Sequence, residues 1–244
     1  MKFTYAAYKE LLQKLKENGY TITNYKNYKS YSKAAILRHD VDMSLEKAEE
    51  MAKIESERGI KATYYVLLCS DFYNIFSKKS LGYIQNILHL GHEIGLHFDE
   101  EKYSGDPEVL KHIEEEIFIL ERCIHKKVES ISMHRPSKET LEYNHIIKNG
   151  EVINSYGKEF FIEFKYISDS RKNWREDISQ IIESDKYNKL HILTHPIWYE
   201  EREREMGEQL KGFCNNAVIE RYDSLKENIR DCEKVLTIED VLKT

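Results

Sequence analysis

At 244 residues, with 41% hydrophobic and 11% aromatic side chains, the chain is long enough to bury one large core. A formal net charge of −6 argues against a nucleic-acid partner, whose phosphates call for a basic face. Cysteines 69, 123, 214 and 232 form no C-x-x-C pair, so a zinc ribbon finds no support and a disulfide framework is not expected; they read as reduced thiols.

The N-terminal Met1-Lys2-Phe3-Thr4-Tyr5 carries no signal-peptide apolar run, and no stretch nears the ~20 apolar residues of a membrane span. The expected form is a soluble, cytoplasmic protein. Tyr5, Tyr8, Leu11, Leu12 and Leu15 recur at helical spacing over residues 5–18, with Gly19 as the stop. A connector rich in tyrosine and lysine leads to a first strand from Ala34 to His39. Ser44 caps a helix bearing Ala48, Met51, Ala52 and Ile54, which Gly59 closes. Ala62 to Leu68 reads as a strand, Lys79 to Leu90 as a helix stopped by Gly91, and Glu93 to His97 as a short strand.

Asp106-Pro107 opens a long helix, with Asp as N-cap and Pro in the first turn, whose stripe is Val109, Leu110, Ile113, Ile117, Leu120 and Ile124. Val128 to Met133 is the next strand and Lys138 to Asn149 the next helix. Glu151 to Ser155 and Phe161 to Ile167 look like strands. Trp174 to Ile182 is predicted helical, and Leu190 to Thr194 is the last strand. Glu200 to Glu208 is densely charged, and two helices are expected over Val218 to Val235 and Thr237 to Leu242. Strand and helix thus alternate with roughly seven strands, which favours a parallel sheet closed into a barrel. The expectation is one α/β domain over 1–244: a (β/α)7-type barrel over 34–199, an N-terminal helix, and a C-terminal helical extension over 200–244.

Four stretches end strands with chemistry-bearing residues: Arg38-His39-Asp40-Val41-Asp42, Gly91 to Asp99, Ser132-Met133-His134-Arg135-Pro136 and Leu193-Thr194-His195-Pro196. The C-terminal ends of parallel strands converge on one rim, where ligands bind. Alternation puts Asp40 and Asp42 on one face with Arg38, where two carboxylates call for a cation or a proton between them. The alternative is that Asp42 caps the next helix while Asp40 pairs with Arg38. His97, beside Asp99, Glu100 and Glu101, suits a metal ligand, whereas His92 and Glu93 precede the rim and suit structural hydrogen bonds. Arg135 suits a carboxylate or an anionic substrate group, and His134 a ligand or a donor to substrate. Trp198 and Tyr199 follow His195, where an aromatic face packs on a sugar ring or covers the barrel end.

In this order the segments resemble the polysaccharide deacetylase family, the NodB-homology group of carbohydrate esterases, over about residues 34–199. The resemblance implies a distorted (β/α) barrel that uses a divalent metal, commonly zinc (Zn2+), to remove acetyl groups from sugars. Matched onto the family's first motif, Asp40 is the base and Asp42 a metal ligand. Gly91-His92-Glu93-Ile94-Gly95-Leu96-His97 matches G-H-E-I-G-x-H residue by residue and makes His97 a ligand. The family has a second histidine four positions later, where this chain has Glu101; the third ligand is then Glu101, Asp99 or His134, with His134 preferred. Arg135-Pro136 resembles the motif that steers the base, and Leu193-Thr194-His195 makes His195 the general acid. Asp169 and Trp174 are the nearest echoes of the family's aspartate-tryptophan motif. Arg38 and Trp198 are the expected substrate contacts. The implied activity is deacetylation of an N-acetylated sugar or glycan precursor; the alternatives are a C–N hydrolase of non-sugar amides and a silent carbohydrate-binding protein.

Overall fold

The computed structural model describes residues 1–106, 108–142 and 144–242. It divides into two compact units, one of Met1–Glu201 and one from Arg202 onward. The first unit opens with helix α1 (Tyr5–Glu17). Thr4 Oγ1 accepts the Ala7 N–H at 3.1 Å, and Tyr5, Tyr8, Leu11, Leu12 and Leu15 form its buried stripe. Gly19 follows at φ +79°, a left-handed turn that glycine adopts without strain.

Eight strands make one sheet: β1 (Thr21–Thr23), β2 (Ala34–Val41), β3 (Thr63–Leu67), β4 (Glu93–Asp99), β5 (Ser130–His134), β6 (Ile153–Asn154), β7 (Lys165–Ser168) and β8 (Lys189–Thr194). Their order is β6-β5-β4-β3-β2-β8-β7, and every pairing is parallel. Strand β1 pairs with the start of β2, Thr21 opposite Ala34, and β3 pairs farther along it, Thr63 opposite Arg38. Strands β6 and β7 stand at the two ends and do not pair with each other among the described residues. The sheet is therefore a half-barrel, a distorted (β/α) barrel left open along one side. Helices α2 (Leu45–Ser56), α3 (Lys78–His89) and α4 (Val109–Ile124) make the crossovers from β2 through β5. Ser44 caps α2, its Oγ accepting the Lys47 N–H at 3.2 Å, as the sequence predicts.

Several boundaries differ from the sequence pattern. Strand β1 is too short to leave a periodic signal. Helix α4 starts at Val109, with Asp106 Oδ1 bonding the Glu108 N–H in a preceding turn; Pro107 lies outside the described residues. Helix α5 (Lys138–Glu142) stops well before Asn149. Residues 161–164 do not form a strand: helix α6 (Lys158–Ile162) puts Phe160 on the same side as Phe164, and both are buried. That i, i+4 aromatic spacing outweighs the β-propensity of the segment. Helix α7 (Ile178–Glu183) begins only where Asp177 caps it. In the second unit, helix α8 (Met206–Asn228) starts twelve residues before the predicted Val218, and helix α9 (Ile238–Leu242) follows a short turn that Tyr222 closes by donating to the Leu236 carbonyl at 2.9 Å. The four cysteines are free, and no described helix is long and apolar enough to cross a membrane.

Alternation along the strands sorts the side chains into two chemistries. Leu37 and Val41 of β2, Val66 of β3, Leu96 and Phe98 of β4, and Ile131 and Met133 of β5 join the helices in the main apolar core. The intervening residues face the concave interior. There Tyr25, Tyr28, Ile36, Tyr65, Phe160 and Phe164 form a second cluster toward the strands' N-terminal ends, and Arg38, Asp40, His97 and Ser132 lie buried above it. Gly95 is what lets Tyr65 lie across β4: a Cβ there would stand 2.4 Å from Tyr65 Cε1 and 2.9 Å from the Ser130 carbonyl oxygen. Gly95→Ala should therefore cost about 1–3 kcal/mol in urea unfolding. Gly82→Ala, in α3 with nothing within 4 Å, should be neutral or stabilising by up to about 1 kcal/mol. Equal effects of the two substitutions would contradict this packing.

Candidate metal centre

Because β2, β4 and β5 are parallel neighbours or near neighbours, their C-terminal ends bring Asp42, His97 and His134 to one point. His97 Nε2 stands 3.2 Å from Asp42 Oδ1, His134 Nδ1 stands 3.5 Å from the same oxygen, and the two nitrogens are 3.2 Å apart. The edges of a tetrahedron around zinc with bonds of ~2.0–2.1 Å are about 3.3–3.4 Å long. The three donor atoms have that spacing. His97 Nδ1–H donates to the Ser132 carbonyl at 3.2 Å, which leaves the Nε2 lone pair aimed at the centre. Two imidazole nitrogens and a carboxylate oxygen meeting without an intervening donor suit a divalent cation.

In the metal-free chain the same crowding shifts the acids and bases. Burial opposes ionisation of Asp42, but hydrogen bonds from His134 and His97 hold its carboxyl well below the usual range. Burial works against a charged His97, yet Asp40 and Asp42 outweigh it and raise the imidazole. A proton can thus take the place of a cation when none is bound.

Asp40 sits just inside, its Oδ2 3.6 Å from His97 Nε2. That oxygen accepts from Arg38 Nη2 at 2.8 Å. Arg38 has no exposed surface, and its guanidinium also donates to Ser132 Oγ at 2.8 Å and Ser155 Oγ at 2.9 Å. The other oxygen, Asp40 Oδ1, is buried with no hydrogen-bond partner among the described residues. Arg38, expected to contact substrate, is buried against Asp40, the pairing named by the alternative reading of its segment. Arg135, expected beside Asp40, is on the surface with a left-handed backbone (φ +49°), and its nearest acid is Glu101 at 3.9 Å. It lines a cavity of about 770 Å³ beside the rim, together with Glu100, Tyr103, Ser137 and His145.

His195 completes the rim from β8, its Nε2 3.9 Å from Asp42 Oδ2. Its Nδ1–H donates to Asp169 Oδ1 at 2.6 Å, and its backbone N–H to the same carboxylate at 3.0 Å. Asp169 is fully buried and takes a third bond from Tyr199 Oη at 3.1 Å. The faint aspartate echo in the sequence is therefore the group that orients His195. Among the alternative third ligands, Glu101 is exposed and Asp99 Oδ1 caps the turn at Glu101 N; neither belongs to the three-residue group. Trp198 is partly buried and packs against the main core. His92 bridges Ala62 N–H and the Ala52 carbonyl, and Glu93 accepts from Asn24 and Thr63, the structural roles the sequence predicts. Ser132 and Ser155, which hold Arg38, had no distinguishing sequence signal beyond inward parity on or just past a strand.

No protein-family model matches the chain, and no curated protein matches it. Among solved structures it is similar to a CE4-family pseudoenzyme from Bacillus anthracis, at 14% identity and a TM-score of 0.46 over 76% of this chain and 60% of that one. It is also similar to a Streptococcus pyogenes deacetylase in complex with acetate, at 14% identity and a TM-score of 0.45 over 77% of this chain and 79% of that one. A Bacillus cereus polysaccharide deacetylase is similar at 17% identity and a TM-score of 0.46, over 72% and 93% of the two chains. The alignment to the Bacillus anthracis protein spans about three fifths of that protein's length.

Burial works against a charged His195, but Asp169, then Asp42 and Asp40, win and lift its pKa to about 9. A folded pKa above the unfolded value of ~6.5 gives stability that is complete below ~6.5 and lost as pH rises through 9. Metal-free protein should therefore lose on the order of 3 kcal/mol between those limits, and Asp169→Asn should flatten that slope. An unfolding profile as steep in Asp169→Asn as in the wild type would contradict the pairing.

Proposed function

We propose that the chain is a metal-dependent hydrolase that removes the acetyl group from an N-acetylated sugar or sugar conjugate, in the manner of the polysaccharide deacetylases. The observation that carries this reading is the tetrahedral spacing of Asp42, His97 and His134, with Asp40 and His195 beside them and outside that group. Asp42, His97 and His134 would hold a divalent ion, zinc first, which would supply Lewis-acid polarisation of the acetyl carbonyl and a more acidic water.

The protein's own groups manage the protons. Asp40, with Oδ2 pinned by Arg38 and Oδ1 unpaired, takes the proton of the attacking water at Oδ1. His195, held through Nδ1 by Asp169, gives the Nε2 proton to the leaving nitrogen. The C–N bond breaks to give acetate and the sugar amine. The cavity beside the rim takes the rest of the glycan, with Arg135 as a contact.

The roles of the two arginines give a direct prediction. Arg38→Met should lower kcat by about 10²-fold, because it frees Asp40 and leaves the carboxylate uncompensated. Arg135→Ala should leave kcat within about threefold and act on KM. Loss of kcat in Arg135→Ala with none in Arg38→Met would reverse the assignment. For the activity itself, acetate release by zinc-loaded protein should be measured on N-acetylated sugars and oligomers against linear and cyclic amides. Release from the sugars alone is expected. Release only from the other amides would move the chain to a different C–N hydrolase, and no release from metal-loaded protein would make it a silent binding protein.

A further inference from the structure

Directly behind the metal centre, on the helix-facing side of the sheet, a polar cluster interrupts the apolar core. Glu55 of α2 has no exposed surface. Its carboxylate accepts from the hydroxyls of Tyr8 and Tyr64, the latter at 2.6 Å, and from His39 Nε2–H at 2.9 Å. The His39 ring lies stacked on Tyr64, with centroids 4.3 Å apart. With Nε2 donating to the carboxylate, His39 Nδ1 accepts from the Thr194 hydroxyl at 2.6 Å. His39 and Thr194 are also direct partners in the β2–β8 ladder.

An apolar cluster would fill this space with no charge to desolvate. What the polar set adds is direction: each bond fixes an angle as well as a distance. The residues that follow the two clasped positions are Asp40 and His195, which alternation turns to the opposite face. We propose that His39 and Thr194 are positioning residues: their clasp, anchored on Glu55, sets the spacing and orientation of Asp40 relative to His195 across the sheet. The inference rests on the reading of those two residues as base and acid. Asp169 fixes the His195 ring and Arg38 the Asp40 carboxylate, whereas the clasp fixes the two backbones that carry them.

Thr194→Val keeps the side-chain shape and leaves His39 Nδ1 without its donor; Thr194→Ser restores the hydroxyl. In crystals, Thr194→Val should change the Asp40–His195 carboxylate-to-Nε2 separation by about 0.5 Å or more, and Thr194→Ser should not. On an N-acetylated sugar substrate, Thr194→Val should lower kcat about tenfold with KM within twofold, and Thr194→Ser should recover it. An unchanged separation in Thr194→Val, with a lowered melting temperature, would overturn the proposal and leave the cluster a stabilising feature only. If zinc-loaded wild type hydrolyses no N-acetylated sugar, the deacetylase reading fails, and the separation alone decides the clasp. Should Thr194→Val not fold, Thr194→Ala against Thr194→Ser carries the same comparison.

Discussion

A guanidinium with no exposed surface has to be neutralised and hydrogen-bonded where it stands, and Arg38 imposes that requirement on the interior of the half-barrel. Asp40 supplies the charge; Ser132 of β5 and Ser155, just past β6, supply acceptors. The rings of Tyr65 and Tyr156 lie 5.6 and 4.9 Å from the guanidinium carbon. Gly95 then becomes necessary, because Tyr65 occupies the space its Cβ would take. The charge at the centre of the barrel thus ties β2, β3, β4 and β5 into one arrangement. Asp40 emerges with one oxygen committed and the other available.

Above that layer, the strand ends need only be parallel and in register for the site to assemble. His97 pairs with Ser132 in the β4–β5 ladder and hydrogen-bonds its carbonyl, so the ladder itself sets the tautomer of a candidate metal ligand. His39 pairs with Thr194, so Asp40 and His195, the proposed base and acid, leave adjacent positions of adjacent strands. The two faces of the sheet play different parts. The interior holds charge and aims it, while the helix-facing side supplies the apolar burial that keeps the strands in place. The Glu55 cluster sets buried ionisable groups into the helix-facing core, directly behind Asp40 and His195.

Most of this was legible in the sequence because alternation and strand ends are local signals. Asp42, His97 and His134 could be read as one cluster from three short motifs, and Ser44 and Gly19 marked their helix ends. Arg38 pairs with Asp40, the alternative weighed for its segment, while Arg135, expected beside Asp40, lies on the surface. Their motifs offer the same side chain, and only register and depth tell a buried guanidinium from an exposed one. Asp169 left little trace because its significance is that it meets His195, 26 residues later, through parallel pairing of β7 with β8. The aromatic run at Phe160 to Phe164 was misread since β-propensity and an i, i+4 pair make opposite demands on the same residues. Strand β1, at three residues, falls below the length at which any period can be counted.

The central claim is that this particular set of atoms holds a divalent cation. Zinc-soaked crystals, measured on both sides of the zinc absorption edge, test it without assuming any substrate. The account predicts one anomalous peak per chain within ~2.0–2.2 Å of Asp42 Oδ1, His97 Nε2 and His134 Nδ1, and its loss in His97→Ala. Absence of the peak in the wild type, or a peak coordinated by Glu101 or Asp99 in place of His134, would contradict it.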